Sequence, residues 1–206
     1  MQPTKIIGIG VNYRLHAQEM GKGLPEEPLM FLKPPSALIG DGDAIQRPAG
    51  YERVDYEGEL GVVIGTRARH VSRERALDVV AGYVCVNDVT VRDLQKKDGQ
   101  WARAKGFDTF CPVGKLVAGL DPSNLKIATR VNGVTKQDST TSDLIFDVPA
   151  LIAFCSRHMT LEPGDLISTG TPAGVGNLNV GDVVEVEIEG IGILRNPVIA
   201  MPATAP

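Results

Sequence analysis

Hydrophobic residues along the chain form short runs that end at glycine, proline or a polar turn. Such runs occupy residues 5–10, 29–33, 80–86 and 125–131. Apolar runs of this length between turn residues predict β-strands rather than helices. The last of them leads directly into Asn-Gly at 132–133, a strong signal for a tight hairpin. The pattern therefore predicts many short strands joined by turns.

A few segments, among them one after Ser72 and one from Val91, instead predict helices. Asp147 with Pro149 is typical of a helix start, and the apolar positions that follow recur with the helical period. Asn12 predicts an N-cap for a short helix that begins near Tyr13. Few helices among many strands predict an α+β fold that is mostly β.

The composition and length are those of a globular protein. Of its 206 residues, 43% are hydrophobic and 22% are charged, which is enough to build a sizeable core. We find no internal repeat or linker, so we expect one catalytic domain over residues 1–200, followed by a disordered tail at 201–206. No stretch approaches 18 apolar residues and no signal sequence precedes the first strand, so we expect no membrane contact and a cytoplasmic location.

Charge and cysteine content exclude several function classes. The net charge is -4 and lysine and arginine form no cluster, so nucleic acid is not an expected partner. The three cysteines are odd in number and lack Cys-x-x-Cys spacing, so they indicate neither a disulfide framework nor a zinc site. The glycine-rich stretch at 170–176 fits neither the dinucleotide-binding pattern nor the P-loop.

The run from Asp55 to Gly65 begins in carboxylates and ends in aliphatic residues. Read as one strand, it places Glu57 and Glu59 on the same face, roughly 6 to 7 Å apart. Two like charges at that distance disfavour each other's ionised form unless a cation lies between them. The pair therefore favours a divalent metal. Since Glu-x-Glu is a common string, a solvated strand edge remains the alternative from these residues alone.

Three further features indicate chemistry. Asp88 follows an apolar strand, a position where the scaffold fixes a side chain beside an open loop, and it is our candidate third ligand. His16 and Glu19 lie three residues apart on one helical face, so the carboxylate can orient the imidazole. Lys105 lies among aromatic residues and a glycine. The alternatives are an ordinary surface helix and a surface lysine whose stem covers apolar groups.

Taken together, six ordered motifs resemble a known family, the fumarylacetoacetate hydrolase family, over nearly the whole chain. The motifs are Asn12-Tyr13-Arg14-x-His16-x-x-Glu19-Met20, Phe31-Leu32-Lys33-Pro34, Asp55-Tyr56-Glu57-x-Glu59-Leu60, Asn87-Asp88-Val89-Thr90-x-Arg92-Asp93, Lys105-Gly106-Phe107-Asp108 and Gly170-Thr171-Pro172-x-Gly174-Val175-Gly176. The resemblance implies a mixed β-sandwich roll of the type found in the C-terminal domain of that family, and a homodimer.

The resemblance also implies roles for individual residues. By motif, Mg²⁺ or Mn²⁺ would bind Glu57, Glu59 and Asp88. His16 and Glu19 would form a water-activating dyad on a lid helix, and Lys105 would polarise the substrate. The implied substrate contacts are Arg14, Arg92, Gln95 and Thr171, the last of them to a substrate carboxylate.

The expected function is divalent-metal-dependent hydrolysis of a C–C bond in acylpyruvate-type 2-oxo acids through a metal-bound pyruvate enolate. The alternatives are an oxaloacetate decarboxylase or a 2-hydroxyhepta-2,4-diene-1,7-dioate isomerase or decarboxylase, because these reactions rely on the same enolate chemistry. The chain begins close to the first motif, so it resembles short members that lack the N-terminal domain of the namesake enzyme. A non-enzymatic metal-binding module is the contrasting class, and His16, Glu19 and Lys105 argue against it.

Overall fold

The computed structural model describes residues 2–19, 21 and 23–202. Within this part the fold is α+β and mostly β, as predicted, with short strands outnumbering helices. Residues 203–206 of the predicted disordered tail lie outside the described residues. No helix in the described part is long and apolar enough to cross a membrane.

The strands are β1 (Ile6–Gly10), β2 (Leu29–Lys33), β3 (Leu38–Ile39), β4 (Ile45–Arg47), β5 (Val54–Tyr56), β6 (Gly58–Ile64), β7 (Val80–Asn87), β8 (Thr90–Val91), β9 (Cys111–Pro112), β10 (Lys126–Val131), β11 (Val134–Thr140), β12 (Leu166–Ser168), β13 (Gly176–Asn177), β14 (Val183–Ile188) and β15 (Gly192–Ala200). The α-helices are α1 (Arg14–Glu19), α2 (Arg92–Asp98), α3 (Ala102–Lys105) and α4 (Val148–His158). Short 3₁₀ helices cover Pro35–Ala37, Arg73–Val79, Pro122–Asn124 and Thr141–Asp143.

Two five-stranded sheets form the sandwich. Their strand orders are β2-β1-β12-β6-β7 and β11-β10-β14-β15-β4. The first sheet is mixed, because β1 runs parallel to β12 and antiparallel to β2. The largest hydrophobic cluster contains side chains of both sheets and of α4, such as Leu60, Val186 and Leu151. The core therefore lies between the two sheets and under that helix.

Strand β6 is buried on both of its faces. All seven of its residues are buried, which explains why its sequence is almost continuously apolar. Leu60 and Val62 pack in the core between the sheets. Val63 packs on the opposite face with Val84 and with Cys111 of β9. By alternation, Glu59 belongs to that opposite face, at the end of the sheet where the site forms.

The predicted single strand from Asp55 to Gly65 is interrupted at Glu57. Strand β5 ends at Tyr56 and pairs with β8 and β13 in a separate small sheet, whereas β6 begins at Gly58 in the first large sheet. Glu57 is the junction between two sheets, so the strand alternation that predicted a shared face with Glu59 does not apply. The two carboxylates nevertheless meet, on either side of the break between β5 and β6.

The N-cap predicted for helix α4 is confirmed, whereas the N-cap predicted for helix α1 is not. Helix α4 begins as predicted, because Asp147 Oδ1 accepts a hydrogen bond of 3.0 Å from the backbone N–H of Ala150. The prediction that Asn12 caps α1 is wrong. Its side chain instead donates to the carbonyl of Thr169 at 2.7 Å and accepts from the N–H of Phe146 at 2.8 Å, which ties the end of β1 to distant loops.

The predicted hairpin is confirmed. Asn132 and Gly133 join β10 to β11, and both have positive φ angles, 52° and 77°. Two consecutive residues with positive φ are the requirement of a type I′ turn, and Asn-Gly meets it at low conformational cost.

Candidate metal centre and active site

Three buried carboxylates meet at one end of the first sheet. One oxygen each of Glu57, Glu59 and Asp88 lies within 4.8 Å of the others. The antiparallel register of β6 with β7 pairs Glu59 with Val86, which brings the start of one strand beside the end of the other. The backbone N–H of Asp88 donates to the carbonyl of Glu57 at 2.8 Å and fixes the third carboxylate against the junction. Strand ends rather than loops therefore hold the three groups.

Two buried lysines donate hydrogen bonds to the carboxylates of this cluster. Lys105 Nζ donates to Glu57 Oε2 at 2.8 Å, to Asp88 Oδ2 at 2.5 Å and to Thr90 Oγ1 at 2.8 Å. Lys33 Nζ donates to Asp88 Oδ1 at 2.5 Å. Each lysine is only 2% exposed, so Lys105 is not the surface lysine of the alternative interpretation. Both ammonium groups compensate charge that would otherwise be buried alone.

Lys33 received no role from the sequence. It lies at the end of β2, between an apolar run and Pro34, where a charged side chain interrupts the hydrophobic pattern. That interruption within one of the six motifs was the available signal. Its partners are Asp88 and the carbonyl of Phe110, which are far away in sequence, so local pattern could not identify them.

Arg92, at the start of α2, donates hydrogen bonds to three neighbouring side chains. Its Nη2 donates to Glu57 Oε1 at 2.5 Å, its Nε to Asp55 Oδ2 at 2.8 Å and its Nη1 to Gln95 Oε1 at 2.9 Å. Asp55 is fully buried and also pairs with Arg53. The guanidinium is therefore held in one orientation, with Gln95 beside it.

The three carboxylates differ in their electrostatics. Burial alone would raise the pKa of Glu57, but Arg92 and Lys105 outweigh it and hold that pKa well below its usual range. Burial, together with the nearby charges of Asp88 and Glu57, raises the pKa of Glu59 to about 8, although the hydroxyl of Ser168 opposes the shift. Glu59 is therefore the carboxylate whose negative charge is least compensated.

The donor set fits a divalent cation. Glu59 Oε2 accepts hydrogen bonds from Ser168 Oγ at 2.5 Å and from the N–H of Gly170 at 2.8 Å. Its Oε1 receives none from the described residues, so one oxygen stays available. Carboxylate oxygens are the ligands that Mg²⁺ and Mn²⁺ prefer, and a cation would relieve the surplus charge that raises the pKa of Glu59.

Helix α1 brings an imidazole and a carboxylate over this end of the sheet. His16 Nδ1 lies 3.1 Å from Glu19 Oε2, and His16 is 5% exposed. The carboxylate of Glu19 also accepts a hydrogen bond of 3.3 Å from the N–H of Gly174 in the glycine-rich loop. Gly174 has a φ of 96°, and a Cβ there would lie 2.1 Å from the carbonyl of Lys136. Glycine is therefore required for the loop to approach this closely.

A cavity of about 540 Å³ opens beside the dyad. Its lining residues are His16, Glu19, Arg53, Arg92, Gln95, Lys96, Trp101 and Val175. A narrow recess of about 20 Å³ at the carboxylates shares His16, Arg92, Gln95 and Trp101 with it, and adds Glu57, Glu59, Lys105 and Thr171 to the lining. The recess and the cavity therefore adjoin at these four shared residues.

Trp101 is a lining residue that sequence reasoning missed. Its ring packs edge-on against Phe31 with centroids 5.3 Å apart, and Lys105 Nζ lies 5.8 Å from its centre. A Cβ on Gly10 would lie 2.7 Å from the ring, so the glycine makes room for it. The signal was that this is the single tryptophan of the chain and stands four residues before Lys105.

Of the predicted substrate contacts, Arg14 lies outside the site and Thr171 lies in it with its hydroxyl already hydrogen-bonded. Arg14 lies on α1 but faces away, since its Nη1 donates to the carbonyl of Ser142 at 3.4 Å and it lines a separate cavity. Thr171 lines the recess, where its hydroxyl donates to the carbonyl of Gly58 at 3.0 Å and accepts from Gln137 at 2.7 Å. The structure thus brings Arg92, Gln95 and Thr171 to the site and leaves Arg14 outside it.

Known proteins resemble the chain over almost its whole length. The family model described as fumarylacetoacetate (FAA) hydrolase C-terminal matches residues 5–199. The oxaloacetate tautomerase YisK of Bacillus subtilis is 45% identical over 212 residues, covering 96% of this chain and 70% of the relative.

Two solved structures share the fold closely. The 5-carboxymethyl-2-hydroxymuconate delta-isomerase from Mycobacterium smegmatis is 49% identical with a TM-score of 0.93, covering 98% of this chain and 81% of that one. The 2-hydroxyhepta-2,4-diene-1,7-dioate isomerase from Mycobacterium marinum is 47% identical with a TM-score of 0.92, covering 98% and 77%.

Proposed function

Because the chain belongs to the fumarylacetoacetate hydrolase family, we propose that it is an isomerase or tautomerase that moves a proton at the carbon beside the keto group of a 2-oxo diacid. The sequence alone favoured hydrolysis of acylpyruvates, with decarboxylation or isomerisation as the alternative. The relatives described above are named for tautomerisation and isomerisation, and they support that alternative. The observation that supports proton transfer is the His16 and Glu19 pair beside a recess of buried carboxylates, and the names of the relatives favour isomerisation among the reactions this pair allows.

We further propose that Glu57, Glu59 and Asp88 hold one Mg²⁺ or Mn²⁺ ion. When bound, the ion would polarise a keto oxygen and so make the adjacent C–H more acidic. Lys105 and Arg92 keep Glu57 ionised for this purpose, because both cations donate directly to its carboxylate. The site can then accept an anionic substrate next to its own carboxylates.

His16 is the group proposed to carry the proton. Its Nδ1 faces Glu19, which leaves Nε2 for exchange with the substrate. Glu19 fixes the ring and stabilises the imidazolium that forms when Nε2 takes the proton. Returning the proton at another atom of the conjugated system completes an isomerisation without consuming water, so His16 ends each turnover in its starting form.

Hydrolysis of an acylpyruvate is the second candidate, and the same dyad favours it. A neutral imidazole oriented by a carboxylate can take a proton from water as readily as from carbon. In that reaction the activated water adds to the distal carbonyl, and the bond to the pyruvate unit breaks. The residues alone therefore support both reactions, and the relatives give isomerisation the preference.

An activity panel tests the proposal. The protein with Mg²⁺ would be incubated with enol oxaloacetate, a 2-hydroxydienedioate, fumarylpyruvate and acetylpyruvate, and products would be identified by chromatography. We expect ketonisation or isomerisation of the first two to exceed any cleavage of the last two. Cleavage of acetylpyruvate without isomerisation of a diacid would contradict the proposal and favour the second candidate.

A further inference from the structure

The outer part of the cavity carries a cationic wall that the proposed proton transfer does not use. Arg53 and Lys96 line the cavity but not the recess at the carboxylates, whereas Arg92 and Gln95 line both. We infer that Arg53 and Lys96 form a subsite for the distal carboxylate of the substrate, so that they select diacids over monoacids. This inference rests on the proposed function, because it assumes that the 2-oxo end of the substrate enters the recess.

Part of the Arg53 guanidinium is hydrogen-bonded within the protein, and the rest is free to bind a ligand. Its Nε and Nη2 donate to Asp55 at 3.2 and 2.6 Å, and its backbone N–H donates to Asp93 Oδ2 at 3.1 Å. Its carbonyl accepts the N–H of Arg92 at 2.9 Å, which fixes the residue against the start of α2. Nη1 donates to none of the described residues, and the side chain is 52% exposed. A guanidinium held in this way presents its remaining donors without a large entropic cost.

Lys96 presents a second positive charge to the same space. It lies four residues after Arg92 on α2, so the two side chains share one face of the helix. Its side chain lines the cavity, and it forms no ion pair with any carboxylate of the described residues.

The side chains that line the cavity carry more positive than negative charge, although Asp93 lies next to them and accepts the backbone N–H of Arg53. Asp55 is one carboxylate shared between two guanidinium groups, because Arg53 and Arg92 both donate to its Oδ2. Glu19 is the carboxylate among the residues that line the cavity, and it already faces His16 and the N–H of Gly174. Among the residues that line the cavity, an incoming carboxylate would therefore meet three cationic side chains and one carboxylate.

The dimensions suit a substrate with two separated acid groups. The volume of about 540 Å³ falls within the usual range for small-molecule pockets. Residues of the recess surround the inner end, and Arg53 and Lys96 lie along the outer part only. A substrate whose 2-oxo end lies in the recess would extend its second carboxylate toward this outer part.

Calorimetric binding of a matched pair of acids tests the subsite. 2-Oxoadipate and 2-oxohexanoate have the same six-carbon chain and the same 2-oxo acid end, but only the first has a distal carboxylate. Both would be titrated into the Mg²⁺-saturated protein and into Arg53→Gln, Lys96→Gln and the double variant. Lys97→Gln is the matched control, since Lys97 is an exposed lysine of the same helix that does not line the cavity.

We expect wild-type protein to bind the diacid about tenfold more tightly than the monoacid. Each single substitution should weaken diacid binding about threefold and the double variant about tenfold, as expected for partly exposed ion pairs. Monoacid binding should stay unchanged in every variant, and Lys97→Gln should match wild type. Equal affinity for the two acids in wild type, equal losses for both in the variants, or binding of neither would overturn the subsite.

The same proteins separate this inference from the proposed function. If the diacid is preferred and the substitutions remove the preference, but the activity panel shows no isomerisation, the subsite stands and the proposed reaction fails. If isomerisation occurs with no preference between the two acids, the reaction stands and the subsite fails.

Discussion

At the scale of single residues, Glu59 differs from Glu57 and Asp88 because no cationic side chain of the described residues pairs with it. Glu57 is paired with Arg92 and Lys105, and Asp88 is paired with both buried lysines. Glu59 accepts hydrogen bonds only from the neutral groups of Ser168 and Gly170 among the described residues. Its charge is therefore the one that a bound cation would compensate most directly.

We predict that Glu59→Gln abolishes Mg²⁺ binding measured by calorimetry. Because the pKa of Glu59 is raised to about 8, this group is mostly protonated at pH 7, and Mg²⁺ binding should release about one proton in wild type. Apparent affinity should therefore rise with pH up to about 8 and then level off. Titrations in buffers of different ionisation enthalpy measure the released proton.

Glu189→Gln serves as control for this prediction, because Glu189 is an exposed carboxylate in the turn between β14 and β15. It should bind Mg²⁺ and release the proton as wild type does. Undiminished Mg²⁺ affinity in Glu59→Gln would show that the ligand assignment is wrong.

At the scale of elements, Asp165 joins the beginning of β1 to the beginning of β12. Its Oδ1 accepts hydrogen bonds from the N–H and hydroxyl of Thr4 at 2.9 and 2.7 Å, and its Oδ2 pairs with Lys5 and accepts the N–H of Glu162 at 2.8 Å. Burial opposes ionisation, but the hydrogen bond from Lys5 and the backbone N–H groups outweigh it and lower the pKa of Asp165. The ionised carboxylate therefore stabilises the parallel pair at the centre of the first sheet.

We predict that Asp165→Asn lowers the free energy of unfolding by about 1 to 3 kcal/mol at pH 7. Since the folded-state pKa is depressed, the ionised group contributes its stability above about pH 4, and this is lost as pH falls through the lower folded-state value. The variant should therefore lose less stability than wild type between pH 5 and pH 2. Urea denaturation across pH measures the difference.

Asp78→Asn is the comparison for this experiment, because Asp78 forms an exposed surface pair with Arg75. It should change stability by about 0 to 1 kcal/mol. Parallel pH profiles for wild type and Asp165→Asn would rule out this account of the β1 and β12 junction.

Among the helices and strands, those that depend on local patterns were predictable from the sequence. Strand β2 and helix α4 depend on patterns within a few residues, and their predicted extents agree with the structure. The interruption at Glu57 depends on the pairing of β5 with β8 and β13, which come from distant parts of the chain. Local periodicity cannot report a change of sheet, so it predicted one strand.

The site was predictable to a similar degree. Residue type and motif order suggested Glu57, Glu59 and Asp88, and the structure brings their carboxylates together. The contacts of Lys33 with Asp88 and of Arg53 with Arg92 join residues that are far apart in the sequence. Such contacts between separate elements have no periodic signature in the sequence.

At the scale of the whole molecule, the edge of the first sheet bears on assembly. Strand β2 ends the order of that sheet in the described part of the chain, and it exposes Leu29 by 44% and Leu32 by 47%. An edge strand with exposed apolar side chains is a surface suited to a second copy of the same chain.

We predict a homodimer at micromolar concentration, measured by light scattering, that Leu32→Glu converts to a monomer. Val134→Glu should leave the dimer intact, because Val134 is similarly exposed at 56% but belongs to the hairpin of the second sheet. A monomeric wild type would contradict the assembly prediction. A dimeric Leu32→Glu variant would exclude this edge as the interface.

The central claim is that His16 transfers a proton at the carbon beside the keto group. Its most direct test is deuterium incorporation at C3 of 2-oxoadipate, followed by proton NMR in D₂O with Mg²⁺ present. We expect incorporation with the carbon skeleton intact, a loss of roughly 10²-fold in His16→Ala, and no loss in the exposed control His158→Ala. Mg²⁺ binding should survive in both variants. Incorporation in His16→Ala at the wild-type rate, or no incorporation by wild-type protein that binds both Mg²⁺ and the acid, would contradict the claim.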